Sequence, residues 1–215
     1  MNNKYERSSQ EYEDTLVNWD GMVSFSNVFV TKFPEPSNAH KLSAGLWNNN
    51  GIYLAQAQYG GNMLISISCS TLPDNRTPNE DMNILHSHLS SVAKEHGTAS
   101  NGYELMRVYN ANSLFGDTLI YEITNAARDG NNIPFPLNIG AAYPIENGLQ
   151  SMAMNIIFQR PEANSRVELS ILYELPKDYN ATPDQDLAGD LHNMLVNMHN
   201  EFLSNTYHLT KEYLN

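Results

Sequence analysis

Two stretches of this chain, about a hundred residues apart, close on nearly the same phrase. The first runs Ile65-Ser66-Ile67-Ser68-Cys69-Ser70-Thr71-Leu72-Pro73 and resumes, after a short break, at Thr77-Pro78-Asn79-Glu80-Asp81-Met82. The second runs Val167-Glu168-Leu169-Ser170-Ile171-Leu172-Tyr173-Glu174-Leu175-Pro176 and resumes at Thr182-Pro183-Asp184-Gln185-Asp186-Leu187. In each, period-two alternation marks a strand, Leu-Pro stops it, and Thr-Pro opens an amphipathic helix. The repetition points to a chain of two related β-then-α halves, about 16–100 and 101–215, within a single domain over 16–215. Residues 1–15 are polar and without apolar period, and are expected to form a flexible tail.

The helix signals are specific. Thr77 can accept the amide of Glu80 while Glu80 reaches back to Thr77, which is a capping box. Pro78 stands at the first helical position, where its missing N–H costs nothing. Met82, Leu85, Leu89 and Val92 then recur at helical spacing, with Ile84 beside them. Gly97 is expected to end this helix in a left-handed cap. The second helix repeats the arrangement from Thr182 with Gln185, and its apolar face is Leu187, Leu191, Met194, Leu195, Met198 and Phe202.

Strands are expected at 22–33, 41–47, 52–58, 63–70, 103–109, 114–123, 152–159 and 166–174. Asn110-Ala111-Asn112 reads as the turn after 103–109, and Pro161 to Asn164 as the turn before the last strand. The connections are too short for parallel crossovers, so neighbouring strands run antiparallel. The fold class is therefore α+β, an antiparallel β-sheet with two long capped helices packed on it. No flexible linker separates the halves, which favours one continuous sandwich. This order of elements, from Trp19 to Leu209, resembles the PsbP/Mog1-like fold. The resemblance implies a sheet between helices and a binding or assembly role, a plan comparable to that of some bacterial toxin-immunity proteins. It assigns no functional residues.

Charge narrows the partners. There are 24 acidic and 12 basic residues, a formal net charge of −12. Nucleic acid is excluded on this balance, because phosphate contacts need clustered Lys and Arg. An anionic membrane surface is disfavoured for the same reason. A basic protein partner would be drawn in, although net negative charge also simply keeps a protein in solution. The one cysteine, Cys69, allows no internal disulfide and reads as a small buried hydrophobe. No run of 18 apolar residues is present, so no membrane-spanning segment is expected. Two compartments remain open. The chain as written reads as cytoplasmic; alternatively it is the mature part of a periplasmic or lipid-anchored protein.

The residues that often carry chemistry form no catalytic constellation. His86 and His88 are two apart, which on a helix points them away from one another. His192 and His199 share a face, at the margin of the apolar stripe. Glu80-Asp81 and Asp184-Asp186 sit at helix N-termini, where the macrodipole accounts for them. The expectation is no catalytic residue, no metal site and no cofactor. The segment 129–144 is unusually apolar for a loop, with Ile133, Phe135, Leu137, Ile139 and Tyr143 among Pro134, Pro136 and Pro144. Exposed, it would be a binding surface through Ile133, Phe135, Leu137 and Tyr143; packed under the sheet, it would be core. Trp19, Trp47, Tyr53 and Tyr59 are either further aromatic anchors or core residues. The expected function is a non-enzymatic protein-binding module, in its most specific form a bacterial immunity or inhibitor protein that neutralises a toxin or secreted effector. The alternatives are a small-ligand carrier or enzyme with a sheet–helix pocket, and an accessory factor of a secretion or membrane-associated complex.

Overall fold

The computed structural model describes residues 21–25, 28–34, 39–47, 52–59, 62–97, 106–124, 151–175 and 187–214. Nine strands and two long helices fill these stretches. The strands are β1 (Met22–Phe25), β2 (Phe29–Lys32), β3 (Ala39–Trp47), β4 (Ile52–Tyr59), β5 (Met63–Thr71), β6 (Met106–Ser113), β7 (Gly116–Thr124), β8 (Ser151–Arg160) and β9 (Ser165–Glu174). The helices are α1 (Pro78–His96) and α2 (Leu187–Leu214). Strands β3 to β9 join in one seven-stranded sheet in the order β3-β4-β5-β9-β8-β7-β6, and β1 pairs with β2 separately. Every pairing is antiparallel. The fold is α+β, as the alternation and capping signals imply.

The two helices lie on opposite faces of the sheet. Met152, Met154, Ile156 and Phe158 of β8 pack with Leu191, Leu195, Phe202 and Leu203 of α2. The intervening Ala153 and Ile157 pack with Leu89 and Val92 of α1. Successive strand side chains point to opposite faces, so one strand serves both cores. Burial of β8 is therefore continuous rather than alternating. The β1–β2 hairpin lies on the α2 side. Thr31 shares a 2.7 Å hydroxyl hydrogen bond with Thr206, and the Val30 N–H donates to Thr210 Oγ1 at 3.1 Å.

Helix α1 begins as its sequence dictates. Thr77 and Glu80 form the reciprocal capping box, with Glu80 N–H to Thr77 Oγ1 at 3.3 Å and Thr77 N–H to Glu80 Oε2 at 2.9 Å. Its end differs. Gly97 has φ −81°, so it is not a left-handed cap. Glycine is required there by close approach, because a Cβ would fall 2.3 Å from the Ala93 carbonyl oxygen. The cap of α2 falls outside the described residues.

Two strand boundaries also differ from the sequence reading. Met22 to Phe33 is a hairpin rather than one strand: the chain reverses so that Phe25 pairs with Phe29. Strand β6 runs through Asn110-Ala111-Asn112 to Ser113. The turn is instead Leu114-Phe115, closed by Gly116 at φ +89°, which glycine adopts without strain. The cause is position in the sheet. Strand β6 is an edge, so Asn110 and Asn112 remain exposed while still pairing with β7.

Asp81 fastens α1 to the sheet. Its side chain is only 2% exposed, and its carboxylate accepts from Arg166 Nη1 at 2.8 Å, Gln159 Nε2 at 3.1 Å and Arg76 Nη1 at 3.2 Å. The helix dipole alone had seemed enough to place this residue; the structure gives it three partners on β8, β9 and the preceding loop. Asp81→Ala takes the carboxylate from two part-buried guanidiniums and from the Gln159 amide, which keeps only the Pro78 carbonyl. The expected cost is about 1–3 kcal/mol, discounted because both arginines retain solvent contact. A urea titration measures it, and Glu80→Ala at the exposed cap should shift the midpoint less.

Candidate functional site

An open cleft of the described surface lies beside α2. Along this helix Met198, Glu201, Phe202, Asn205, His208, Leu209 and Glu212 recur at three- and four-residue spacing, which places them on one face. Opposite them stand Lys32, Phe33 and Pro34 at the end of β2. The floor is Tyr59 of β4, Met63 and Ile65 of β5, and Ile171 of β9. Together they enclose a cleft of about 610 Å³, within the ~300–1,000 Å³ of ordinary ligand sites.

Local structure explains its shape. Phe33 packs on Phe202 with ring centroids 5.4 Å apart, and the Tyr59 hydroxyl donates to the Pro34 carbonyl at 2.6 Å. These contacts fix the end of the β2 wall between α2, through Phe33, and β4, through Tyr59. Ile65 and Ile171 are fully buried at the bottom, whereas Lys32, Glu201, Asn205, His208 and Glu212 stay exposed at the rim. The cleft is apolar below and charged above. Such a lining holds an apolar group by burial and orients it by a few rim charges.

A second cleft, of about 560 Å³, opens at the N-terminal end of α1. Its walls are more polar and include Asn79, Asn83, His86, Asn110 and Asp117. Gln159, which also lines it, is committed through its amide to Asp81 and to the Pro78 carbonyl.

The interior holds an unusual number of polar groups. On the α1 side of the sheet, Ser66, Ser170, Asn155 and Tyr121 form one cross-strand row from β5 to β7, all with no exposed surface. Ser68 and Glu168 are paired in the adjacent row. The Tyr121 hydroxyl donates to Glu168 Oε1. Burial holds the Glu168 proton up to about pH 7, opposed in part by that hydrogen bond and by Arg166. Burial, and then the Glu168 charge, push the Tyr121 phenol well above its ordinary range. On the α2 side, Glu122 is 4% exposed, with Arg107 Nη2 at 2.9 Å and His192 Nδ1 at 2.7 Å.

His199 corrects the sequence reading most plainly. It was expected at the margin of the apolar face, and it has no exposed surface. Its Nε2 lies 2.8 Å from the Met154 carbonyl oxygen, and burial lowers its pKa to about 4. It is a neutral core residue at neutral pH. His192 does sit at the margin, tied to Glu122. His86 and His88 are on α1, half-buried and exposed respectively. Cys69 is buried, and burial raises its thiol to about 11, which leaves it inert as a nucleophile. Among the described residues no three His, Cys, Asp or Glu side chains gather as a metal site. No helix of the described residues is long and apolar enough to cross a membrane.

Ile133, Phe135, Leu137 and Tyr143 lie outside the described residues, as does Trp19. Of the other aromatic anchors, Tyr59 reaches the α2 cleft. Met198 and Phe202 were read as part of the buried face of α2, and the rest of the cleft was not singled out in the sequence. Its signal was present as a second stripe on α2, Glu201-Asn205-His208-Glu212, beside the buried one. Comparison with family models, curated proteins and solved structures gives no match.

Glu168 and His199 should drive stability in opposite directions with pH. Folded Glu168 keeps a proton that the unfolded chain releases, so its contribution is present below the ordinary 4.5 and lost as pH rises through about 7. Folded His199 refuses a proton that the unfolded chain takes, so its contribution is present above 6.5 and lost as pH falls through about 4. Thermal melts between these limits separate them. Relative to the parent, Glu168→Gln gains stability as pH rises, and His199→Gln gains it as pH falls. Two variants that both track the parent would refute the assignment.

Proposed function

We propose that the protein is a non-enzymatic binding module that engages a partner protein. The observation that carries this reading is the α2 cleft, an apolar floor under an exposed polar rim in which Glu201 and Glu212 stand with Lys32, Asn205 and His208. Buried apolar anchors give affinity, and rim charges give orientation and association rate. The formal charge of −12 favours a basic partner. The most specific form is an immunity or inhibitor protein that neutralises a toxin or secreted effector; element order and acidity support it. The apolar run Ile133, Phe135, Leu137 and Tyr143 is proposed as a second contact.

A small-ligand carrier is the second reading, favoured by the cleft volume of about 610 Å³. Native mass spectrometry of the purified chain separates the two, because a carrier retains a bound small molecule.

The direct test is co-purification of the tagged chain with the products of its neighbouring genes, followed by titration of any growth inhibition those products cause. The expected result is a stable complex and stoichiometric protection. Phe135→Ala and Tyr143→Ala should each weaken it by about tenfold or more without lowering the melting temperature, as hot-spot truncations do. If no protein is retained and a small molecule is, the carrier reading replaces this one.

A further inference from the structure

We infer that the α2 cleft takes an extended segment of a partner polypeptide, an apolar run with a basic residue at each end. The inference rests on the binding-module reading and names the occupant of its cleft.

The ends of the cleft carry the argument. Glu201 and Glu212 are exposed and stand eleven positions apart on α2, on the lining face. At the rise of an α-helix their Cα atoms are about 16 Å apart along the axis. A near-spherical ligand of the cleft's volume spans only roughly 10 Å, so it meets one carboxylate and leaves the other free. A cationic amphiphile has one head group and the same shortfall. An extended chain covers the separation with about five residues. Its backbone crosses the mouth, its apolar side chains enter between Phe202 and the floor at Ile65 and Ile171, and its basic residues meet the two carboxylates.

The charges agree with that occupant. Lys32, on the β2 wall, is the only Lys or Arg among the lining residues. It faces the middle of a bound segment, where backbone carbonyls are available to an ammonium. The floor suits varied apolar side chains, because Met63 and Met198 adjust their shape to what they meet. The whole-chain charge of −12 draws basic segments to the rim before contact.

The test is selection from a phage-displayed dodecapeptide library on the purified full chain. Selected peptides are expected to hold two Lys or Arg about four or six positions apart, the even spacings nearest the separation that keep both on one side of an extended chain, enclosing Leu, Ile, Met or Phe. The double variant Glu201→Lys/Glu212→Lys changes only exposed positions, and a melt confirms that it folds. It should bind a selected peptide at least about tenfold more weakly, and should itself select acidic residues at the two places. Met198→Trp, which fills the cleft, should weaken the same peptide without altering the charge preference. Peptides without the basic pair overturn the inference, and so does a preference that survives charge reversal. Failure to select any peptide overturns it too, and binding of monomeric dodecyltrimethylammonium would then assign the cleft to a small cationic amphiphile. Co-purification of a partner that is indifferent to Glu201→Lys/Glu212→Lys would sink the inference alone and leave the binding-module reading standing.

Discussion

Everything in this fold depends on the pairing of β5 with β9. Nine residue pairs run from Met63↔Tyr173 to Thr71↔Ser165, joining strands about a hundred residues apart in the chain. Both ends of the seam are fastened beyond the strands. The Leu72 N–H donates to the Asn164 carbonyl at 2.8 Å, and the Glu174 N–H donates to the Asn62 carbonyl at 2.7 Å. Without this seam β3-β4-β5 would be a three-stranded meander with an open edge, and β9-β8-β7-β6 another. Its register also sets the interior. Slipping β9 by one residue would turn Val167, Leu169 and Ile171 away from α2 and put Glu168 and Ser170 in their place. So long-range a pairing forms only after a costly loop closure, which makes it a slow step in folding.

The buried polar groups bind the layers to one another and not only to their own strands. Asp81 joins α1 to β8 and β9, His199 joins α2 to the β8 backbone, and Glu122 joins β7 to β6 and α2. Such groups add little net stability, since removing charges from water costs about as much as their pairing returns. Their effect is on uniqueness. A helix free to slide on an apolar sheet has many near-equal packings; one that must place Asp81 against Arg166 and Gln159 has few.

The sequence made much of this legible, and most of the failures share a cause. Capping at Thr77, the Pro161 turn and the strand patterns of β5, β8 and β9 are local signals that the fold follows, whereas the cap at Gly97 is a local signal that it does not. What escaped was set by neighbours distant in sequence. Asn110 to Asn112 looks like a turn until β6 is known to be an edge. Asp81 looks like a dipole partner until Arg166, eighty-five residues on, is seen beside it. His199 lies on the same helical face as His192, and no periodicity distinguishes margin from centre. A sheet–helix pocket stood among the alternatives, but the lining of the α2 cleft was not legible for the same reason: its two walls and its floor come from three separate parts of the chain.

That cleft follows from the mismatch between sheet width and helix width. Seven strands span about 29 Å across the hydrogen-bonding direction, while one helix covers roughly 10–12 Å. On the α2 side the helix takes β8 and β9, and the β1–β2 hairpin lies against the helix to widen the cover. At Lys32 the hairpin ends, and the chain leaves past Phe33 and Pro34, held at Tyr59. Beyond that point, among the described helices, only α2 flanks Tyr59, Met63 and Ile65. The floor at Ile65 is fully buried and the rim a few ångströms higher is charged. Among the described residues one long helix covers that face, and the end of the hairpin places the step beside Glu201 and Glu212.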